Sequence, residues 1–307
     1  MSAAAPVIIG AGLAGLIAAH AWPQCRVLEA APRPTSVHQA LLRFRTDAVA
    51  RLTGIEFRRV RVHKAIWSES RFTTPNIRVA NLYSTKVLGR MAGERSIWNL
   101  DSVDRYIAPD DLHAQLLAAV GDRVEWGAEA DFRPIGAPYI STAPLPVTLD
   151  AVGHKPTESF ERAPIRVVKF EVAGADVFQT VYFPDAETPM YRASITGSTL
   201  IVEAVNSPVA MHDWLPRAKV LIQRAFGLEA AQLRYLDAVE QRYGKIIPLP
   251  DVVRKRLLFA LTQQHDIYSL GRFATWRNIL LDDVVNDIAV IKRLLRSDAY
   301  AARLAAT

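Results

Sequence analysis

The chain has 307 residues, of which 50% are hydrophobic and 22% charged, so a disordered or collagen-like chain is excluded. Its one cysteine, Cys25, cannot form an intramolecular disulfide, and we therefore expect a protein of a reducing, cytoplasmic compartment. The net charge is +6, and 29 of the 37 basic residues are arginine, which reflects either genomic base composition or recognition of phosphate or carboxylate.

The sequence contains neither a membrane-spanning stretch nor a metal-binding pattern. The longest apolar stretch, residues 7–19, falls short of the ~18 to 20 residues that span a bilayer. The histidines include no pair at helical spacing, and Cys25 has no cysteine partner. We therefore expect no membrane contact and no metal, and the oligomeric state is left open.

The strongest motif is a glycine-rich turn near the start of the sequence. Residues 6–10 have the pattern of a short buried strand, and residues 16–21 that of a helix. Three glycines at G-x-G-x-x-G spacing allow a tight turn, a close approach of pyrophosphate to the backbone and close helix packing. A second strand, residues 26–29, ends in Glu29, placed to accept hydrogen bonds from ribose hydroxyls. The unit predicts dinucleotide binding through Gly10, Ala11, Gly12, Leu13, Ala14 and Gly15.

Resemblance to known flavoproteins favours one dinucleotide. VIIGAGLAGLIAA followed by VLEA resembles the N-terminal signature of FAD-containing oxidoreductases, which implies FAD, with Glu29 and Ala30 beside it. Residues 267–278 (IYSLGRFATWRN) resemble the C-terminal flavin segment of UDP-galactopyranose mutases and their amine-oxidase-like relatives. That resemblance implies cofactor contacts from Gly271 and Arg272; an ordinary strand-to-loop turn with a surface arginine is the alternative. Residues 138–146 resemble the strand that returns beneath the cofactor in the same flavoproteins, which implies a contact from Thr142.

The segment after Glu29 departs from these flavoproteins. They commonly carry an arginine followed by a Gly-Gly pair there, whereas this chain has RPTSVH at residues 33–38. Arg33 is a candidate cofactor contact. His38 is a candidate catalytic residue because a histidine near the ring can move a proton near neutral pH, and a structural histidine is the alternative.

Lys245 is the second catalytic candidate. In amine-oxidising relatives a lysine bridges through water to the flavin, and a lysine that is partly buried beside a cofactor has a lowered pKa. A surface lysine is the alternative interpretation.

From residue 166 onward, four short runs of β-branched and aromatic residues predict an antiparallel sheet. They resemble the substrate-binding sheet of the same enzymes, and PMYRAS (residues 189–194) resembles a strand that faces the flavin. Tyr191 and Arg192 are therefore candidates to hold an anionic substrate; the alternative is a sheet pair with its arginine in solvent. Residues 214–226, 230–239 and 282–295 are expected to be helical.

Together these patterns predict an α/β fold, in which a Rossmann-like FAD-binding domain carries an inserted, mainly antiparallel β-sheet substrate domain. The FAD-binding domain is expected to be discontinuous, with residues 1–45, 100–150 and 245–307. Residues 46–99 and 151–244 then form the substrate-binding region. No second dinucleotide motif is present, so we expect a flavin that is reduced by the substrate or that acts without net redox change.

Residues 43–64 concentrate the basic residues, and this segment indicates either a solvated face or a site for an anionic substrate or nucleic-acid backbone. Residues 38–67 and 267–288 resemble bacteriophage flavoproteins of thymine hypermodification, among them an FAD-dependent lyase that converts glycine-modified thymine in DNA to aminomethyluracil and glyoxylate. This resemblance implies a modified-DNA substrate in the host cytoplasm. The candidate substrate-binding residues are Arg43, Arg45, Arg58, Arg59, Tyr191, Arg192, Trp276 and Asn278.

The function that these resemblances favour is that of an FAD-dependent oxidoreductase or lyase that cleaves an amine C–N bond. Two alternatives stay open. One is a sugar mutase similar to UDP-galactopyranose mutase, in which the basic residues cradle a diphosphate. The other is a flavin-bearing DNA-binding protein without catalysis.

Overall fold

The structure, a computed structural model, describes residues 4–34, 43–207 and 209–297. These residues form two β-sheets with helices on their faces. In chain order, the strands are β1 (Val7–Ile9), β2 (Arg26–Glu29), β3 (Arg43–Phe44), β4 (Arg58–Ser68), β5 (Arg71–Thr73), β6 (Val103–Ile107), β7 (Val124–Trp126), β8 (Tyr139–Ser141), β9 (Arg162–Val172), β10 (Val177–Tyr182), β11 (Met190–Gly197), β12 (Thr199–Val205), β13 (Leu233–Ile246) and β14 (Ile267–Ser269).

The α-helices are α1 (Leu13–Ala21), α2 (Ala48–Thr53), α3 (Ile77–Leu88), α4 (Leu112–Val120), α5 (Leu145–Ala151), α6 (Met211–Phe226), α7 (Asp251–His265) and α8 (Leu281–Leu295). Short 3-10 helices cover Gly93–Arg95, Gly121–Arg123 and Ala230–Gln232. No helix of the described ranges has both the length and the apolar character that a bilayer span requires.

The first sheet is parallel and has the strand order β14-β8-β1-β2-β7. Its central strand is buried on both faces, as expected for a parallel sheet between helices. Ile8 packs on one face in the core shared with α1, α4 and α8, whereas Val7 and Ile9 pack on the other face with residues of α5 and α7. The carboxyl end of β1, which is packed on both faces of the sheet, therefore leads directly into α1.

The second sheet has the order β13-β9-β12-β11-β10-β4-β6-β3, with β5 paired to β4. Its neighbouring strands are antiparallel except for β10 and β4, which are parallel. One face packs against α6 through an apolar core that includes Phe170 and Val202. The opposite face, which we call the inward face, carries polar side chains and is partly covered by α3.

The predicted α/β class, with a Rossmann-like parallel sheet and a second, mainly antiparallel sheet, is confirmed. The strand–helix–strand unit at the start of the chain lies where the sequence predicts it, as do α6 and α8. The core on α1 also includes Val49 and Phe57, next to Phe44.

The helix predicted at residues 230–239 is wrong, because most of this segment belongs to β13. Leu233 pairs with Val172 and Val239 pairs with Val167 in an antiparallel ladder with β9. The register shifts between Tyr235 and Asp237, so the apolar residues do not alternate strictly along the strand. This irregularity gives the segment a spacing that resembles a helix.

We predict that Phe170→Ala destabilises the protein by about 3 to 5 kcal/mol, because Phe170 is fully buried between the second sheet and α6. Urea unfolding measures the change. Phe259→Ala is the matched control, since that ring is 65% exposed, and its effect should stay below about 0.5 kcal/mol. Equal losses in the two variants would contradict this view of the core.

Candidate functional site

The glycine loop between β1 and α1 is built by an unusually close approach of helix to strand. A Cβ at position 15 would stand 1.8 Å from the carbonyl oxygen of Gly10, so only glycine fits there. At Gly12, by contrast, no atom of the described residues other than its chain neighbours lies within 4 Å of the position that a Cβ would take. Within the ranges that the structure describes, no side chain caps the N-terminus of α1. The first turn of this helix therefore presents its amides to open space, which is the geometry that binds pyrophosphate.

Glu29 lies at this loop, as the motif predicts. Its carboxylate accepts hydrogen bonds from the amide of Ala11, at 2.7 Å, and from that of Ala31, at 2.9 Å. Ala30 and Arg33 follow Glu29 closely in the sequence, and both are exposed. His38 lies outside the described residues.

Two distant segments of the chain meet the loop. Thr142, after β8, donates its hydroxyl to the Ile9 carbonyl at 2.7 Å. Gly271, after β14, has a positive φ of 92°, and a Cβ there would stand 3.0 Å from the Cβ of Ala14 on α1. The structure thus brings together three segments that the sequence assigns to the cofactor.

Arg272 connects the loop to a second group of residues. Its Nη2 donates to the carbonyl of Gly244 at 3.2 Å and to Oδ1 of Asn278 at 3.4 Å. Its Nε is buried and has no hydrogen-bond partner among the described residues. Burial, followed by the nearby charge of Arg95, lowers the pKa of Arg272 to about 10. A buried donor without an acceptor is costly, which makes this nitrogen a candidate to contact a bound molecule.

Lys245 follows Gly244 and is only 5% exposed. Its Nζ lies 3.8 Å from the ring centroid of Tyr191 and donates to the carbonyl of Val87 at 3.4 Å. Burial, followed by the charge of Arg95, lowers the pKa of Lys245 to about 7, although Glu203 acts in the opposite direction. Near neutral pH this lysine can therefore accept or release a proton.

Tyr191 and Arg192 share Glu203 on the neighbouring strand β12. The Tyr191 hydroxyl donates to Oε1 of Glu203 at 3.1 Å, and the Arg192 guanidinium forms a two-pronged ion pair with the same carboxylate. Burial alone would raise the pKa of Glu203, but the Arg192 charge lowers it below its ordinary value. Arg192 is thus partnered by a carboxylate in the protein.

Sequence reasoning missed Glu203 and Arg95. An acid within the apolar run LIVEAV was a signal for Glu203, because an acid buried in a sheet requires a partner. No comparable pattern marks Arg95.

The remaining substrate candidates lie in different places. Arg45 binds Asp283, Arg58 binds Asp176 and Arg59 binds Asp104, all as ion pairs near the surface. Arg43 is held by hydroxyl and carbonyl groups of β10 and β11.

Trp276 is a core residue. It is 1% exposed, donates its indole N–H to the Ile247 carbonyl at 3.0 Å and packs edge-on against Phe160. This burial disfavours the substrate contact that the sequence suggests for it.

The parallel sheet, the glycine loop and the second sheet place the chain in the Rossmann-like α/β class. Among solved structures it is similar to reduced UDP-galactopyranose mutase, with a TM-score of 0.66 and 16% identity over 97% of each chain. It is also similar to the CLA-producing fatty acid isomerase from P. acnes, with a TM-score of 0.59 and 12% identity over 94% of this chain and 98% of that one.

A third similar structure is aklavinone-11 hydroxylase in a ternary complex with FAD and aklavinone. The TM-score is 0.50 and the identity 13%, over 92% of this chain and 59% of that one. No model of a known protein family matches the chain, and no curated protein matches it in sequence. At these identities the similarity shows the fold.

We predict that Gly15→Ala destabilises the protein by about 3 kcal/mol or more, because its Cβ would collide with main-chain atoms that cannot move aside. Gly12→Ala is the control, since the space beside it is open and its φ of −73° suits alanine. Its effect should stay within about 1 kcal/mol. Urea unfolding measures the loss of stability in both variants. A Gly15→Ala variant as stable as the unchanged protein would contradict the close approach of α1 to β1.

Proposed function

We propose that this protein binds FAD and is an oxidoreductase that acts on the C–N bond of an amine. The observation that carries the proposal is the position of Lys245. This buried lysine follows Gly244, whose carbonyl binds Arg272, and Arg272 follows the glycine that lies against the first turn of α1. A proton-exchanging group is thereby connected to the dinucleotide loop through two residues.

The residues present fit FAD. The open backbone at Gly12 and the uncapped start of α1 suit its pyrophosphate, and Glu29 is placed for a ribose. The buried Nε of Arg272, for which the described part of the chain holds no acceptor, offers a donor beside the same loop. The similarity in fold to a hydroxylase solved with FAD supports the same cofactor.

When bound, FAD supplies a two-electron acceptor. The chain's own residues then have separable roles. Lys245, with a pKa of about 7, takes a proton from the ammonium form of the substrate and so leaves the amine lone pair available. The face of Tyr191 positions the Lys245 ammonium, and Glu203 fixes Tyr191 through its hydroxyl. The ordered strands β11 and β12 hold these groups while the substrate binds.

The substrate that we propose is a glycine-modified thymine in bacteriophage DNA. The products would be aminomethyluracil and glyoxylate. This proposal is supported by the resemblance of residues 38–67 and 267–288 to bacteriophage flavoproteins and by the exposed arginines of β4. The side chains of Arg58 and Arg59 are 63% and 66% exposed, so a phosphate backbone can reach them.

A sugar mutase is the second candidate. It is favoured by the similarity to reduced UDP-galactopyranose mutase, which extends over nearly the whole of both chains. UDP-galactopyranose added to the chemically reduced protein tests it directly. Formation of the furanose form would favour the mutase over the amine oxidoreductase.

The amine proposal predicts bleaching of the flavin absorbance when an oligonucleotide with glycine-modified thymine is added without oxygen, and recovery of the colour in air. The bleaching rate should rise with pH through about 7, because the base form of Lys245 is needed. Lys245→Met should lower the rate about 100-fold and remove this pH dependence.

The unmodified oligonucleotide is the control for this experiment. A persistent oxidised spectrum with the modified oligonucleotide would contradict the substrate. A purified protein without flavin absorbance would contradict the cofactor. Flavin and DNA binding without bleaching would identify a flavin-bearing DNA-binding protein.

The DNA proposal predicts that Arg58→Ala with Arg59→Ala weakens DNA binding and reduces the salt dependence of the association constant by about one to two counterions. Arg217→Ala with Arg224→Ala removes the same charge from the exposed side of α6 and should leave both quantities unchanged. Fluorescence anisotropy at several salt concentrations measures them. Equal effects of the two double variants would show that the arginines of β4 are not part of the DNA-binding surface.

A further inference from the structure

Three cationic side chains lie on the inward face of the second sheet: Arg43, Lys64 and Arg105. The sequence alone does not distinguish them from the other basic residues. Arg105 pairs with Val60 across β6 and β4, and Val60 lies on the same face of β4 as Lys64, four residues further on. Lys64 pairs with Thr180 on β10, and the Thr180 hydroxyl accepts a hydrogen bond from Arg43 at 2.7 Å. The neighbouring strands β3, β4 and β6 thus place these three cations close together on the inward face.

None of the three has a carboxylate within ion-pair distance among the described residues. The Arg105 guanidinium donates to the carbonyl of Asp104 at 2.8 Å, and that of Arg43 is bound by hydroxyls and carbonyls. The charge of Arg105 is close enough to lower the pKa values of both Lys64 and Arg43, after burial, which is the larger cause for each. The cluster therefore holds an excess of positive charge.

The acids that face this cluster are already engaged. Asp101, near Lys64, accepts a hydrogen bond from the Asn99 amide at 2.6 Å. Glu203, on the far side of Arg43, is bound in the ion pair with Arg192. Because the Asn99 amide is neutral, Asp101 keeps its charge and acts to raise the pKa of Lys64, and Glu203 does the same for Arg43, but among the described residues neither acid forms an ion pair with the three cations.

The outward face of the same strands is different. Arg59 and Arg61 on β4 both bind Asp104 on β6. On the inward face of β4, Arg58 pairs with Asp176 at the start of the strand, whereas Lys64, six residues further on, has no ion-pair partner among the described residues. Strands alternate their side chains, so this difference is not visible in the composition of the segment.

We propose that Lys64 and Arg105, with Arg43 beside them, bind a phosphate group of the substrate. The inference rests on the proposed function, because the inward face is the one that carries Arg192 and Glu203, next to Lys245. A phosphate suits the cluster because its several oxygens and its charge match two guanidinium groups and an ammonium. The phosphate belongs either to a nucleotide or to a nucleic-acid strand.

The test is calorimetric titration of the FAD-loaded protein with UDP and, separately, with tetrathymidylate. The inward variant, Lys64→Gln with Arg105→Gln, should bind at least one of these probes about tenfold more weakly than the unchanged protein. Arg61→Gln with Arg71→Gln is the control, because it removes the same charge from exposed side chains, and it should change the affinity by less than about twofold. Arg43 is left unchanged, since its hydrogen bonds hold the sheet.

The charge-conserving variant Lys64→Arg with Arg105→Lys should restore binding, and thermal unfolding confirms that each variant folds. UDP binding that depends on the inward pair assigns a nucleotide, and tetrathymidylate binding assigns a nucleic acid. Equal effects of the inward and control variants, no effect of the inward variant, or acetate binding as tight as that of both probes would overturn the proposal.

Flavin absorbance separates this result from the proposed function. A protein that lacks flavin but binds a probe through the inward pair retains the phosphate site and loses the proposed cofactor. A flavin-loaded protein that binds neither probe retains the cofactor and loses the phosphate site.

Discussion

The contact on which the site depends is the approach of α1 to β1, where Gly15 lies against the carbonyl of Gly10. This contact fixes the start of α1 directly above the end of a strand that is buried on both faces. Thr142 and Gly271 reach the loop from two other strands of the same sheet. Arg272 then connects this arrangement to the second sheet, because it donates to the carbonyl of Gly244, next to Lys245.

The sequence predicted the parts of this structure that local pattern determines. A short apolar run, glycines at fixed spacing and a second strand define β1, α1 and β2 without help from distant residues. The segment at β13 was mistaken for a helix because its ladder with β9 contains a register shift, and pairing with a distant strand outweighed local periodicity. The partners of Glu203 could not be predicted for a related reason, because Tyr191 and Arg192 meet it only through the register of β11 and β12.

The distribution of charge shows the same limit. The basic segment is a single feature in the sequence, but in the sheet its cations have three kinds of surroundings. Arg58 and Arg59 have carboxylate partners in solvent, Arg43 is held by hydroxyls and carbonyls, and Lys64 has no carboxylate partner among the described residues. Lys86 gives a further example, because its ammonium group donates to three carbonyls, among them that of Phe183 at 2.8 Å, and connects α3 to the loop before β11. These roles differ although the residue types are alike.

The order of the strands in the parallel sheet has a consequence for synthesis on the ribosome. β14 is an edge strand, and it pairs with β8 only after more than a hundred further residues have been translated. Until then β8 is exposed along one side, and Gly271 has not reached the glycine loop. The nascent chain can fold the unit of β1, α1 and β2 early, but the loop gains its contact with Gly271 only after β14 has been translated.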